Sequence, residues 1–239
     1  MSHDHHEFQL ESDAVRAHAK GQPVVVGSGD WLGGLEITCE DCMDLMARYA
    51  DKHFDLAIVD PPYGIGAGEM TMGRGSRNDT GQHTAKKWDK EPPPPAYFVE
   101  LRRVSREQII WGGNYFPLPP ARCWLLWDKM DPNSDFAAAE LAWTSFDKVV
   151  KKFEMSRKAA SLVGGIHPTQ KPVALYNWIL ANYAQPGQRI LDTHMGSGSI
   201  AIACHYFGAH LTACEIDADY YAAAMARIKR ETAQTTLFT

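Results

Sequence analysis

Seven short runs set the strongest limit on the fold: LEITC (35–39), DLAIVD (55–60), EQIIWGG (107–113), RCWLLWD (122–128), ELAWTSF (140–146), RILDT (189–193) and LTACEID (211–217). Several are apolar at successive positions. A strand must be apolar in that way when both its faces are buried, because adjacent side chains point to opposite sides. Helix-like stretches lie between these runs at 41–50, 96–105, 173–184, 199–208 and 219–233. Alternating strands and helices predict an α/β domain built on a mostly parallel sheet covered on both sides. Only a loop separates 122–128 from 140–146, which predicts an antiparallel pair at one sheet edge. Pro172 suits a helix start and Gly208 a helix end.

With 239 residues, the chain can form one large α/β domain or two small ones. No apolar run approaches the roughly 20 residues needed to span a bilayer. The N-terminal stretch is polar and histidine-rich without a signal-peptide core, so a cytoplasmic setting without a membrane is expected. Five cysteines scattered through apolar segments predict reduced thiols rather than a disulfide framework. Cys39 and Cys42 form a C-x-x-C, but no second pair completes a metal site. The HDHH run at 3–6 reads as part of a mobile tail rather than a metal ligand set. Residues 1–34 read as an N-terminal extension, partly mobile, ahead of a domain over 35–239. The segments 64–95 and 147–171 match no regular element and are longer than ordinary connections.

Directly after the apolar run at 55–59 comes DPPY, residues 60–63. Pro61 and Pro62 remove backbone donors and fix φ, giving a stiff turn with open carbonyls. Asp60 adds a carboxylate and Tyr63 an aromatic face. Further on, RILDTHMGSGS reads as a strand, a glycine-rich turn and a helix start. Gly196 and Gly198, around Ser197, allow close approach of a ligand to the backbone. Glu215 follows Gly198 by 17 residues and Gly196 by 19, where an acid can accept hydrogen bonds from ribose hydroxyls. Together these predict a nucleoside-bearing cofactor that shares a cleft with the DPPY turn, because ligands of open α/β sheets bind at the carboxyl ends of the strands.

DPPY, then HPTQKP at 167–172, then LDTHMGSGS at 191–199, resembles the beta group of DNA amino-methyltransferases, which use S-adenosylmethionine. The resemblance covers roughly residues 35 to 239. It implies a seven-stranded Rossmann-like sheet with an antiparallel edge strand and a circularly permuted motif order. It implies that Asp192, Gly196, Ser197 and Gly198 line the methionine and ribose part of the cofactor and that Glu215 holds the ribose. Asp41 would lie near the adenine with Cys42 packed beside it. His167, Thr169 and Lys171 would sit by the cofactor's carboxylate at a helix start. Thr193 and His194 stand where the family usually has Pro-Phe. For His194 a packing or hydrogen-bonding role is expected rather than catalysis.

The implied activity is methyl transfer to the exocyclic N6 of an adenine flipped out of double-stranded DNA. Asp60 and the Pro61 carbonyl would accept the two N–H bonds, and Tyr63 would stack on the base. Two segments are basic: Arg74, Arg77, Lys86, Lys87 and Lys90 stand against two acids, and Lys148, Lys151, Lys152, Arg157 and Lys158 against two more. They are read as DNA-recognition insertions at about 64–95 and 147–166, within a chain of net charge −5. Both arms are short, so either the recognised site is short or relaxed, or a second copy helps in a homodimer. The alternatives are cytosine N4 or an RNA adenine as target, or a non-catalytic DNA-binding partner subunit. A nicotinamide-dependent oxidoreductase could use the glycine loop but would have no role for DPPY or HPTQKP.

Overall fold

In the computed structural model of the chain, the described residues are 24–26, 34–65, 91–131, 137–156, 159 and 170–233. They build one nine-stranded sheet. The strands are β1 (Val24–Val26), β2 (Leu35–Thr38), β3 (Phe54–Val59), β4 (Ser105–Trp111), β5 (Trp124–Asp128), β6 (Ala139–Thr144), β7 (Lys151–Glu154), β8 (Arg189–Asp192) and β9 (His210–Cys214). The helices are α1 (Cys42–Ala47), α2 (Pro95–Val104), α3 (Val173–Tyr183), α4 (Ser199–Phe207) and α5 (Ala218–Thr232), with a 3-10 turn at Gly113–Tyr115. Each of the seven sequence-predicted strands and five helices is present.

The strand order is β1-β2-β9-β8-β3-β4-β6-β5-β7. The seven predicted strands form the continuous stretch from β2 to β5. β6 lies antiparallel to both β4 and β5, so the antiparallel pair exists but its reversed strand lies inside the sheet. Two further strands extend the edges: β1, from the N-terminal extension, is an antiparallel edge strand on β2, and β7 pairs parallel with β5. The segment 147–171 therefore does contain a regular element. KKFE is short and charged, a pattern that sequence periodicity does not distinguish from a loop and that suits a sheet edge.

Period-two alternation explains why the strands read as continuously apolar. Along β3, Leu56 and Ile58 join one core cluster while Ala57 and Val59 join the other. Along β4, Ile109 and Trp111 face the first and Ile110 the second. The first cluster takes its helical side from α3, α4 and α5, through Ile179, Leu180, Ile202 and Ile228. The second takes it from α1 and α2, through Leu45, Tyr97 and Leu101. Gly208 closes α4 in a left-handed conformation, as a C-terminal glycine should.

From β3 the chain moves one way to β4, and from β8 the other way to β9, while β3 and β8 pair with each other. The gap between their carboxyl ends is thus the switch point where open α/β sheets bind ligands. Asp60 follows β3 and Asp192 ends β8. Ile58 is 1% exposed at the middle of this arrangement. Ile58→Ala should cost about 2–5 kcal/mol, read as a lower urea midpoint at unchanged slope. A loss below about 1 kcal/mol would contradict its packing.

Candidate active site at the switch point

Leaving β3, the DPPY turn is held by its own side chains and by two distant segments. Tyr63 donates its hydroxyl proton to Asp60 Oδ1 at 2.6 Å. The Lys171 ammonium donates to Asp60 Oδ2 and contacts Glu140 Oε2 at 3.2 Å. Lys129 in turn meets Glu140 Oε1 at 2.5 Å. The result is a row of alternating charges, Asp60, Lys171, Glu140, Lys129. The side chain of Lys171 is only 3% exposed, and its ammonium lies 5.1 Å from the Trp111 ring centroid. Burial alone would depress the lysine, but Asp60 and Glu140 outweigh it and hold Lys171 above the ordinary range. Likewise burial would raise Glu140, yet Lys171 and Lys129 hold it below the usual carboxylate range.

Lys171 was expected beside a cofactor carboxylate; the structure joins it to the DPPY turn through Asp60 and Tyr63. Glu140, Lys129 and Trp111 were not legible as site residues. Glu140 opens an otherwise apolar strand, and such an acid is ordinarily a solvated strand end.

Tyr63 is seated by Gly112. That glycine has φ +67°, and a Cβ there would lie 2.2 Å from the Tyr63 ring. Tyr115, on the turn that follows, stacks against Tyr63 with centroids 5.2 Å apart at 15°. Burial and the neighbouring Asp60 raise Tyr63 well above the normal phenol range, so it remains a proton donor. Gly112→Ala should displace the Tyr63 ring and strain the backbone. The expected result is a fall of at least ten-fold in activity with circular dichroism unchanged.

Across the switch point, the glycine turn is fixed through its backbone. Glu215 Oε2 accepts from Gly196 N and its Oε1 accepts from Asp217 N, each at 3.0 Å. Arg227, 1% exposed on α5, donates from Nη1 to the Ser197 carbonyl at 3.0 Å and to Ser199 Oγ at 2.9 Å. The Ser197 hydroxyl is buried and lies 3.2 Å from that of Ser199, so its side chain faces inward. Gly198 starts α4 at φ +74°, with Ile228 close by. Above Gly196 a Cβ would meet nothing nearer than the His194 carbonyl at 3.9 Å, so that side of the loop is uncrowded.

Thr193 and His194 account for themselves by packing. The buried Tyr97 hydroxyl pairs with Thr193 Oγ1 at 2.6 Å, and that oxygen pairs with His194 Nδ1 at 2.9 Å. A Pro-Phe pair could not satisfy the buried phenol in this way. Burial pushes His194 down to about 4, so the imidazole stays neutral. Asp41 is the N-cap of α1, accepting from Met43 N at 2.7 Å, and Cys42 packs against the α1–α2 core with its thiol pushed up to about 12 by burial. His167 and Thr169, like Arg74, Arg77, Lys86 and Lys87, lie outside the described residues.

Of the described basic residues, Lys151 and Lys152 lie on β7, four strand spacings or about 19 Å from β3. Lys152 is paired with Glu154 at 2.5 Å and Asp128 at 3.5 Å. Lys148 lies over Tyr183 and Phe146 at 4.8 and 5.1 Å. The switch-point site does not include these lysines.

The site is acidic and largely buried. Burial drives Asp192 up to about 8, opposed by the His194 N–H and reinforced by Asp60 and Glu215. Glu215 is likewise raised by burial against the backbone bonds it accepts. Acids in this state hold their protons more strongly and can both donate hydrogen bonds to, and accept them from, ligand hydroxyls. An unfolded Asp ionises near pH 4, so between about pH 4 and 8 the unfolded chain loses a proton that folded Asp192 keeps. Stability is therefore lost as pH rises across that window and levels off above it. Asp192→Asn should unfold near the wild-type temperature at pH 4 and several degrees above it at pH 8. Equal shifts at both pH values would refute the raised pKa.

The family model described as DNA methylase matches residues 110–226, from the end of β4 into α5. The type II methyltransferase M2.DpnII of Streptococcus pneumoniae is 28% identical over 145 residues, covering 60% of this chain and 50% of that protein. M2.MboI of Moraxella bovis is 23% identical over 219 residues, covering 68% of this chain and 76% of that one. The match thus spans about half the length of the Streptococcus relative. Among solved structures, an M1.HpyAVI–SAM complex has a TM-score of 0.56 at 16% identity, covering 81% of this chain and 98% of that one. The PvuII cytosine-N4-specific DNA methyltransferase has a TM-score of 0.50 at 12% identity, covering 84% and 92%. Both have the α/β fold found here. No helix among the described residues is long and apolar enough to cross a membrane.

Proposed function

We propose that this chain, whose residues 110–226 match the DNA methylase family model, transfers a methyl group from S-adenosylmethionine to the exocyclic N6 of adenine in DNA. The observation that carries the reading is the juxtaposition of the DPPY turn with the acidic glycine-loop site at one switch point. When bound, the cofactor supplies an electrophilic methyl on a sulfonium. The relatives' printed names as type II methyltransferases and the SAM-bound neighbour support methyl transfer from this cofactor.

Residues of the chain would hold that cofactor in a way the geometry supports. Glu215, already tied to the Gly196 and Asp217 amides, keeps acceptor capacity for ribose hydroxyls, since each carboxylate oxygen accepts more than one bond. Asp192 offers a buried carboxyl group for hydrogen bonding, and Gly196, where a Cβ would meet only the His194 carbonyl at 3.9 Å, lets a ligand lie against the backbone. Ser197 contributes through its backbone, and Asp41 with Cys42 would border the adenine. His167 and Thr169 keep the role that the HPTQKP resemblance implies.

The target nitrogen is a poor nucleophile because its lone pair is delocalised into the ring. Asp60 and the Pro61 carbonyl each accept one N–H, which favours a pyramidal nitrogen and aims its lone pair. Pro62 keeps the turn rigid. Asp60 can do this while held by Tyr63 and Lys171, because a carboxylate has about four acceptor sites. Such contacts are out of reach within a duplex, so the base is flipped into the pocket. Tyr63 offers its ring to the base, and the basic segments around Arg74, Arg77, Lys86 and Lys87 and around Lys148, Lys151 and Lys152 take the phosphates. Two copies acting together would supply the DNA-reading surface one copy lacks. A cytoplasmic location, where DNA and cofactor coexist, goes with this reading.

The test is transfer of labelled methyl to DNA, followed by identification of the modified nucleoside. N6-methyladenine is expected, and N4-methylcytosine would move the target while keeping the mechanism. Asp60→Ala should lower transfer by about a thousand-fold or more with cofactor affinity retained. Unchanged transfer by that variant would remove the DPPY turn from the chemistry.

A further inference from the structure

The reading above leaves unexplained why a lysine is buried against the carboxylate that must accept the target's amino protons. Left alone, an ammonium 3% exposed and facing one carboxylate would form a closed ion pair with it. It would then compete with the incoming amino group for the same oxygens. Here the ammonium is shared. Lys171 contacts Asp60 on one side and Glu140 Oε2 at 3.2 Å on the other, while Trp111 lies beneath it at 5.1 Å. Lys129, at 2.5 Å, holds the second oxygen of Glu140.

We propose that Glu140 is a positioning residue for methyl transfer: through Lys171 it fixes the carboxylate of Asp60 and draws the ammonium's charge away from that carboxylate. This rests on the reading of Asp60 as the acceptor for the target amino group. Geometry supplies the first part. Asp60 Oδ1 is fixed by the Tyr63 hydroxyl and Oδ2 by Lys171, so its plane is set from both sides. Lys171 in turn lies just ahead of α3, and Glu140 stands at the start of β6. Three separate segments therefore meet through the Lys171 ammonium, which ties Asp60 to Glu140, as suits reacting groups that must be held to a fraction of an ångström.

Charge supplies the second part. Asp60 with Lys171 sums to zero, and adding Glu140 leaves one net negative charge in the inner trio. Lys129 balances that charge from the outer side of Glu140. Replacing Glu140 by a neutral residue would leave the inner pair neutral and concentrate the ammonium on Asp60. That change would strike the reacting nitrogen and spare the ribose site around Glu215.

The test compares wild type, Glu140→Gln, Glu140→Asp and Lys129→Met. Single-turnover methyl transfer, cofactor Kd, DNA Kd and thermal stability are measured for each. Glu140→Gln is expected to slow transfer about a hundred-fold while changing both Kd values less than three-fold, and Glu140→Asp to recover at least ten-fold of that loss. Lys129→Met, one step further out, should lose ten-fold or less. A Glu140→Gln enzyme with wild-type single-turnover rate would overturn the proposal, as would a rate loss matched by an equal loss of cofactor binding. If wild type transfers no methyl to any DNA, the reading of the site fails instead. The electrostatic part is then read alone by 15N titration of the Lys171 ammonium, which Glu140→Gln should shift at least ten-fold in proton affinity. No shift would overturn it.

Discussion

The pairing of β3 with β8 joins segments more than a hundred residues apart, and the site depends on it. Leu56 lies opposite Ile190 and Ala57 opposite Leu191, while Asp55 accepts from the Arg189 amide at 2.9 Å where the two strands begin. Both strands are buried on two faces, so a slip of one residue would exchange their core sets. With the register held in this way, the turn after Val59 and the turn after Asp192 emerge side by side. Their proximity follows from sheet packing, before any ligand is considered.

Given that frame, the two turns are stiffened by different means. Prolines and a carboxylate pinned by Tyr63 and Lys171 set the DPPY side. On the glycine side the backbone is pinned by Glu215 from below β9 and Arg227 from α5. Neither arrangement leaves much conformational entropy to be lost on binding, which is the usual basis of preorganised chemistry. Raised Asp192 and Glu215 show the cost of holding acids away from solvent.

Local pattern was enough to locate most of the architecture. Strand runs such as FDLAIV and helix runs such as VALYNWILANY carry their type in length and periodicity, because burial on a sheet or helix face leaves that trace. β7 left no such trace, since KKFE at an edge is charged on both sides. The reversed strand β6 was legible as half of an antiparallel pair, but its insertion between β4 and β5 depends on long-range pairing that no local run encodes. Among site residues, DPPY, the glycines and Glu215 were legible because their chemistry is concentrated in a few adjacent positions. Lys171 was legible as a site residue but not in its partners, and Glu140, Lys129 and Arg227 were not legible at all.

By itself, the sequence determined an α/β sheet, the stiff acidic turn at 60–63, the glycine loop at 196–198 and the acid at 215. Each of these is a local property, set by proline, glycine or the burial of neighbouring side chains. Only the tertiary structure decided what stands against what. It put Lys171 between Asp60 and Glu140, turned Ser197 inward, and set Lys151 and Lys152 on a distant edge strand. The physical reason is that an ion pair or a buried hydroxyl is chosen by whichever groups the sheet brings within a few ångströms, and those groups come from strands far apart in the chain.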